Sequence, residues 1–310
     1  MGKLGFEIIK AARPRQWLKN VAIFSTIIFT GHLFDHGPLV QSIGAFFAFC
    51  FLASSNYIFN DILDINRDRK HPFKKFRPVA SGRLPISLAW VSSIIFLILG
   101  LTLAILIGKN FFFMAALFSI LEYCYSLFLK HISVIDILTI TAAYFLRVYA
   151  GEAATGYHIS IWLALTGLSL ALFLAIGKRR AELTLIQGYS GMVPRDTRET
   201  LSNYSERLLD TYTAMFANST FISYAMYTFL VQPVKPGFFW GEISMSFFPD
   251  RKWMMITIPF VLYGIMRYMQ LIYEGKGESP EKVVTSDYPL IITIVGWVIT
   301  SLLVIYGVGG

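Results

Sequence analysis

Residues 39–78 read LVQSIGAFFAFCFLASSNYIFNDILDINRDRKHPFKKFRP. The first part, 39–60, is an uncharged and mostly apolar run; Asp61, Asp64 and Asp68 follow, and then a dense series of bases. Roughly 17 to 25 apolar residues suffice to carry a helix across the hydrocarbon core of a bilayer. The run therefore predicts a membrane helix whose far end is a charged cluster at the water boundary.

The same ruler, applied outward, finds nine such spans, at about 17–34, 39–60, 85–107, 110–130, 132–154, 160–177, 211–232, 252–273 and 288–308. Composition agrees. The 310 residues are 55% hydrophobic and 15% charged, where a soluble domain carries about 25% charged residues. A soluble core could not consume that much apolar sequence. The expected fold is an all-α membrane protein of nine transmembrane helices, a single polytopic domain over 1–310. Met1 to Lys10 lack an apolar stretch followed by a small-residue cleavage site, so no cleavable leader is expected. Cys50 and Cys124 lie inside apolar runs and read as small buried hydrophobes, with no disulfide or zinc framework.

Charge distribution supplies an independent test through the positive-inside rule. With the N-terminus in the cytoplasm, 22 of the 27 Lys and Arg fall inside. Four (Lys109, Lys235, Arg251 and Lys252) fall outside, and Arg147 lies within a span. The expected location is a plasma or inner membrane, with the N-terminus cytoplasmic and the C-terminus outside. The net charge of +8 is thereby a matter of topology, and no nucleic-acid partner is expected. The long hydrophilic segments, 61–84 and 178–210, both face the cytoplasm, each after an even-numbered span, which suggests two related halves. Long polar loops in a compact membrane protein tend to be functional.

On a helical wheel at 100° per residue, Asn60, Asp61, Asp64 and Asp68 share one arc of about 100°. Like charges crowded in this way repel unless a cation joins them, and the negative end of the helix dipole favours one. Oxygen ligands without His or Cys point to magnesium, with manganese as the alternative, rather than zinc. Asn60, Asp61, Asp64 and Asp68 are the candidate metal ligands, Asp61 and Asp64 the candidate catalytic pair. Arg67, Arg69, Lys70, Lys74, Lys75, Arg77 and Arg83 follow. They read either as interface anchors or, with the acids, as a clamp for a magnesium-bound diphosphate.

The second polar segment opens with GKRRAEL at 177–183. Lys178 and Glu182 stand one turn apart with Arg179 beside them, which makes either a surface salt bridge or a phosphate contact. Tyr125 and Lys130 close the fourth span and Asp136 opens the fifth. Glu122 and Arg147 lie within spans, where an ionisable side chain costs about 3 kcal/mol and faces a cavity or a partner. Arg147 is nearly on one face with Asp136. It reads as functional or as structural, snorkelling outward or paired with Glu152. The five histidines show no ligand spacing, and His71 reads as a loop residue.

The NDxxDxxxD pattern after the second of nine spans resembles the UbiA-type intramembrane prenyltransferases. RPRQWLKN at 13–20, NDILDINRDRKHPFKKFRP at 60–78, YSLFLKHISVIDI at 125–137, FLRVYAG at 145–151 and GKRRAEL resemble the decaprenyl-phosphate phosphoribosyltransferase branch. The likeness runs over essentially the whole chain. It implies a UbiA-like helical bundle with a cytoplasm-facing active site. It also implies magnesium-dependent transfer of 5-phosphoribose from phosphoribosyl pyrophosphate to a polyprenyl phosphate, as in building a cell-wall precursor. Substrate-binding positions implied are Lys19, Asn60, Asp68, Lys74, Arg77, Tyr125, Lys130, Lys178, Arg179 and Glu182. Ordinary superfamily members carry a second aspartate-rich motif where this chain has GKRRAEL, which weakens the alternative of a prenyl diphosphate donor and an aromatic acceptor. A third class, a transporter or flippase, needs access from both faces, whereas the charge clusters lie on one.

Overall fold

The computed structural model describes residues 2–71, 73–187, 199–230, 252–274 and 280–308. Their regular structure is all helical, with no strand among these residues. The chain divides into two compact units, with the change at Gly156/Tyr157 and two short exchanges of sequence: Met1–Ser25, His36–Gly156 and Arg195–Asn203 form the first, and Thr26–Asp35, Tyr157–Pro194 and Tyr204–Gly310 the second.

In the first unit, α1 (Gly2–Ala12) leads into a 3-10 helix, Pro14–Phe24. Then come α3 (His36–Leu63), α4 (Ile65–Lys70), α5 (Ile86–Ile107), α6 (Lys109–Leu127) and α7 (Ile135–Thr155). Its core gathers Phe49, Leu52, Ala104, Phe111 and Phe118. The backbones of α3 and α5 approach closely at Gly100, where an added Cβ would stand 2.6 Å from Leu52 Cγ and 3.0 Å from the Ala48 carbonyl oxygen. A smaller core of Ala11, Ile58, Val79, Leu84 and Ala89 fastens α1 and the segment after α4 to the end of α3.

The second unit holds α2 (Ser25–Phe29, from its second residue), α8 (Ile161–Gln187), α9 (Glu206–Leu230), α10 (Ile258–Tyr273), α11 (Pro280–Ser286) and α12 (Tyr288–Leu302). Phe173, Ala217, Ile265, Tyr268 and Ile272 form its main core. Gly177 lets α8 lie against α10, since a Cβ there would meet Ile272 at 2.6 Å and Tyr268 at 3.0 Å.

Among the described residues, six helical segments are long and apolar enough to cross a membrane: 36–63, 86–107, 109–127, 161–184, 253–273 and 288–307. Ile86–Ile107 has a mean hydropathy of 2.6, yet only 22% of its most apolar window is buried. Ile94, Ile98, Ile105 and Leu106 point outward. Such a surface would be costly in water and is at home in lipid.

The other three expected spans are helical but fall short of that measure. The stretch 17–34 is not one helix: it is the 3-10 helix followed by the five-residue α2, with polar Lys19, Asn20 and Thr26 along it. Helix α7 carries Asp136, Arg147 and Glu152, and α9 carries the polar run Asn218, Ser219 and Thr220 in the middle of its expected span. The segment 61–84, expected as a loop, is built from the end of α3, α4, a 3-10 turn Lys74–Phe76 and a left-handed turn at Gly82. Of 178–210, residues to 187 continue α8, while 188–198 lie outside the described residues. Lys235 and Arg251 lie outside them too.

Candidate active site

Helix α3 runs through Asn60 and Asp61 to Leu63, and α4 resumes at Ile65. The break at Asp64 is slight. Its N–H still donates to the Asn60 carbonyl at 3.0 Å, and Asp68 N–H to the Asp64 carbonyl at 2.8 Å, so the helical register and the acidic arc persist.

The arc resolves into two stripes, each bridged by a cation. Lys130 Nζ donates to Asn60 Oδ1 at 3.1 Å and to Asp64 Oδ1 at 2.7 Å. Arg77 Nη1 donates to Asp61 Oδ1 at 3.1 Å and to Asp68 Oδ2 at 2.6 Å. Residues four apart lie about 40° apart on a helix, so Asn60 and Asp64 form one stripe, with Asp61 and Asp68 beside them. Arg13 adds a second cation on Asp61. Its backbone is left-handed, φ 54 and ψ 64, and its guanidinium lies 5.2 Å from the Tyr57 ring. The repulsion read from the sequence is thus answered by Arg13, Arg77 and Lys130, each a charge-assisted partner in a partly dry setting.

Asp61 and Asp68 are buried, with 1% and 3% exposure. Burial pushes the Asp68 carboxyl up from its ordinary value, Arg77 pulls it back, and Asp61 adds to the rise. Asp61 Oδ2 is buried with no hydrogen-bond partner, and so are both amide atoms of Asn56, one turn earlier on α3. Among the described residues no three His, Cys, Asp or Glu side chains converge as a ligand group. The donor set nonetheless suits a hard divalent cation: all its ligand atoms are oxygen, and one buried carboxylate oxygen is unused.

Lys74 stands at the start of its 3-10 turn, and Lys75 lies 5.2 Å from the Phe76 ring. His71 Nδ1 accepts from the Phe73 and Lys74 N–H groups, a turn-forming role. Lys19 Nζ lies 5.8 Å from the Tyr144 ring. Tyr125 is part-buried near the end of α6. Arg147 is not paired with Glu152. Its Nε donates to Asn20 Oδ1 at 2.8 Å and its Nη1 to the Ala143 carbonyl at 2.7 Å, while Nη2 lies 3.9 Å from Glu122 Oε1. Asp136 is buried and accepts from Thr200 Oγ1 at 3.3 Å.

In the second unit, Glu182 takes its ion pair from Arg179, at 3.0 Å, three residues away. Lys178, the i,i+4 neighbour of Glu182, sits on the same helix. Arg180, which the sequence left unassigned, is more elaborately held. Nε donates to Asp210 Oδ1 at 2.7 Å, Nη2 to Glu206 Oε2 at 2.8 Å, and Nη1 to Thr184 Oγ1 at 2.5 Å. This ties the end of α8 to the start of α9.

The fold and the charged cluster define a class. Residues 22–181 match the UbiA prenyltransferase family, and the chain belongs to that family. Among its relatives, the decaprenyl-phosphate phosphoribosyltransferase of Corynebacterium glutamicum is 32% identical over 304 residues, covering 96% of this chain and 86% of that one. The enzyme of the same name from Mycolicibacterium smegmatis is 29% identical over 304 residues, covering 96% and 92%. In fold, a UbiA homologue from Archaeoglobus fulgidus, bound to DMAPP and Mg2+, aligns with a TM-score of 0.71 at 19% identity over 96% of this chain and 99% of that one.

Proposed function

We propose that the protein transfers 5-phosphoribose from phosphoribosyl pyrophosphate to a polyprenyl phosphate of decaprenyl type, releasing pyrophosphate. The observation that carries this reading is the match along 96% of the chain to relatives named for that activity. The two acidic stripes closed by Arg13, Arg77 and Lys130 suit a multiply charged donor.

In the reaction an oxygen of the lipid phosphate attacks the anomeric carbon as the bond to pyrophosphate breaks, and the leaving group departs with the electron pair. The nucleophile is already an anion, so no general base is required. Magnesium, or manganese in its place, on Asp61 and Asp64 with Asn60 and Asp68 would supply charge neutralisation at the leaving pyrophosphate. Lys74 and Arg77 are assigned to the donor's phosphates, and Lys130 orients Asp64 and Asn60. Lys178 and Arg179, with Glu182 holding Arg179, are assigned to a phosphate of either substrate. Lys19 and Tyr125 are assigned to substrate binding. Nine spans, a cytoplasmic N-terminus and active site, an external C-terminus and one membrane domain over 1–310 complete the proposal, supported by the charge asymmetry.

The family's description and the DMAPP-bound fold neighbour favour a second reading, prenyl transfer from a prenyl diphosphate to a small acceptor such as an aromatic. The basic GKRRAEL in place of a second acidic motif weighs against it. Purified protein, labelled phosphoribosyl pyrophosphate, polyprenyl phosphate and magnesium decide the matter. Label in the extracted lipid is expected. Prenylation of an aromatic acid with no use of phosphoribosyl pyrophosphate would overturn the assignment.

A further inference from the structure

Asn56 is 3% exposed, and neither its Nδ2 nor its Oδ1 has a hydrogen-bond partner. The adjacent Ser55 is the ordinary case of a buried polar side chain: its hydroxyl meets the Ser93 carbonyl at 2.6 Å and the Tyr123 hydroxyl at 2.8 Å. A buried amide with both donor and acceptor idle is rare and destabilising. Asn56 stands one turn before Asn60 on α3, about 40° around the helix from it, on the deep side of the acidic stripes. Asp61 Oδ2 is the other idle buried atom on this part of the helix.

The two idle atoms of the amide restrict what completes them. A phosphate oxygen accepts only and by itself would leave Oδ1 idle. A metal ion takes Oδ1 only and by itself would leave Nδ2 idle. A hydroxyl donates and accepts, and a vicinal diol meets both atoms of an amide at once. We propose that Asn56 binds the ring hydroxyls of the pentose donor, one helical turn (about 5–6 Å) deeper than the diphosphate. This rests on the phosphoribosyl reading above and adds a sugar subsite to it. It gives the site a means of telling a pentosyl diphosphate from a prenyl diphosphate, which has no hydroxyl to offer.

The test compares wild type with Asn56→Ala on phosphoribosyl pyrophosphate and on its 2-deoxy and 3-deoxy analogues. Wild type should lose about tenfold or more in kcat/KM on at least one deoxy analogue. Asn56→Ala should show a similar loss on the full donor and little further loss on that analogue. Asn56→Ala should also melt at the same temperature as wild type or higher without substrate, because it deletes two unsatisfied groups. Losses that multiply independently on both analogues, or a lowered melting temperature with unaltered analogue discrimination, would assign Asn56 to packing or a bound water and overturn the subsite. A wild type that ignores phosphoribosyl pyrophosphate while prenylating another acceptor overturns the underlying function, an outcome distinct from independent losses in an active enzyme.

Discussion

Lys130 Nζ and Asp64 Oδ1 meet at 2.7 Å although 66 residues separate them. The lysine is 9% and the aspartate 21% exposed at the side chain, so the pair is nearly dry on one side and wetted on the other. It joins the short turn after α6 to the break between α3 and α4. If this pair orients the acidic stripe, Lys130→Ala should lower labelled-lipid formation by roughly a hundredfold or more. Lys130→Arg should recover part of it, because a guanidinium keeps the charge but not the geometry. Turnover unchanged in Lys130→Ala would confine the lysine to a structural role.

Asp61→Asn and Asp64→Asn are each expected to abolish transfer and leave the protein folded. The cations on Asp61, Arg13 and Arg77, are 26% and 24% exposed at the side chain, so water can take over; Lys130, 9% exposed, keeps Asn60 Oδ1 as an acceptor when Asp64 is replaced. EDTA should reproduce the loss, and magnesium or manganese should reverse it in wild type only. Full activity in EDTA would remove the metal from the mechanism.

Lys178→Ala should reduce phosphoribosyl transfer about a hundredfold. Arg179→Ala should do the same and also lower the melting temperature. Arg179 is wholly buried and holds Glu182 at 3.0 Å, and breaking such a pair costs about 3–5 kcal/mol. A melting-temperature loss from both variants with normal kcat would make this a structural motif.

For topology, Cys50 and Cys124 are first replaced, and a single cysteine is placed at Ser81, which is exposed, or at Ser244. A membrane-impermeant maleimide should reach position 81 only from the cytoplasm and position 244 only from outside. Labelling of both from one side would break the nine-span arrangement.

The acidic stripe is legible in the sequence because it depends on helical periodicity over a few turns, and its two-stripe partition follows from the same wheel. Arg77 reads in the sequence as a phosphate contact or an anchor, whereas the chain, doubling back within a short basic segment, sets it on Asp61 and Asp68. Arg13 lies in the RPRQWLKN string, but its place beside Asp61 requires a left-handed turn that local propensity does not announce. Arg180 escapes sequence reading because its acids, Glu206 and Asp210, stand beyond the segment that follows α8. The segment 17–34 reads as one span from its apolar content, yet hydropathy does not report the 3-10 winding over Pro14–Phe24 that sets Asn20 against Arg147.

At position 13 the backbone and the side chain favour different residues. A left-handed conformation costs an L-residue of ordinary shape about 1–2 kcal/mol, and glycine would adopt it freely. Arginine stays there with its guanidinium on Asp61 and beside Tyr57. The substitution that best suits the local chain, Arg13→Gly, would therefore strip the carboxylate of one of its two cations, so a search for stabilising changes guided by backbone geometry alone would select against the charge balance of this site.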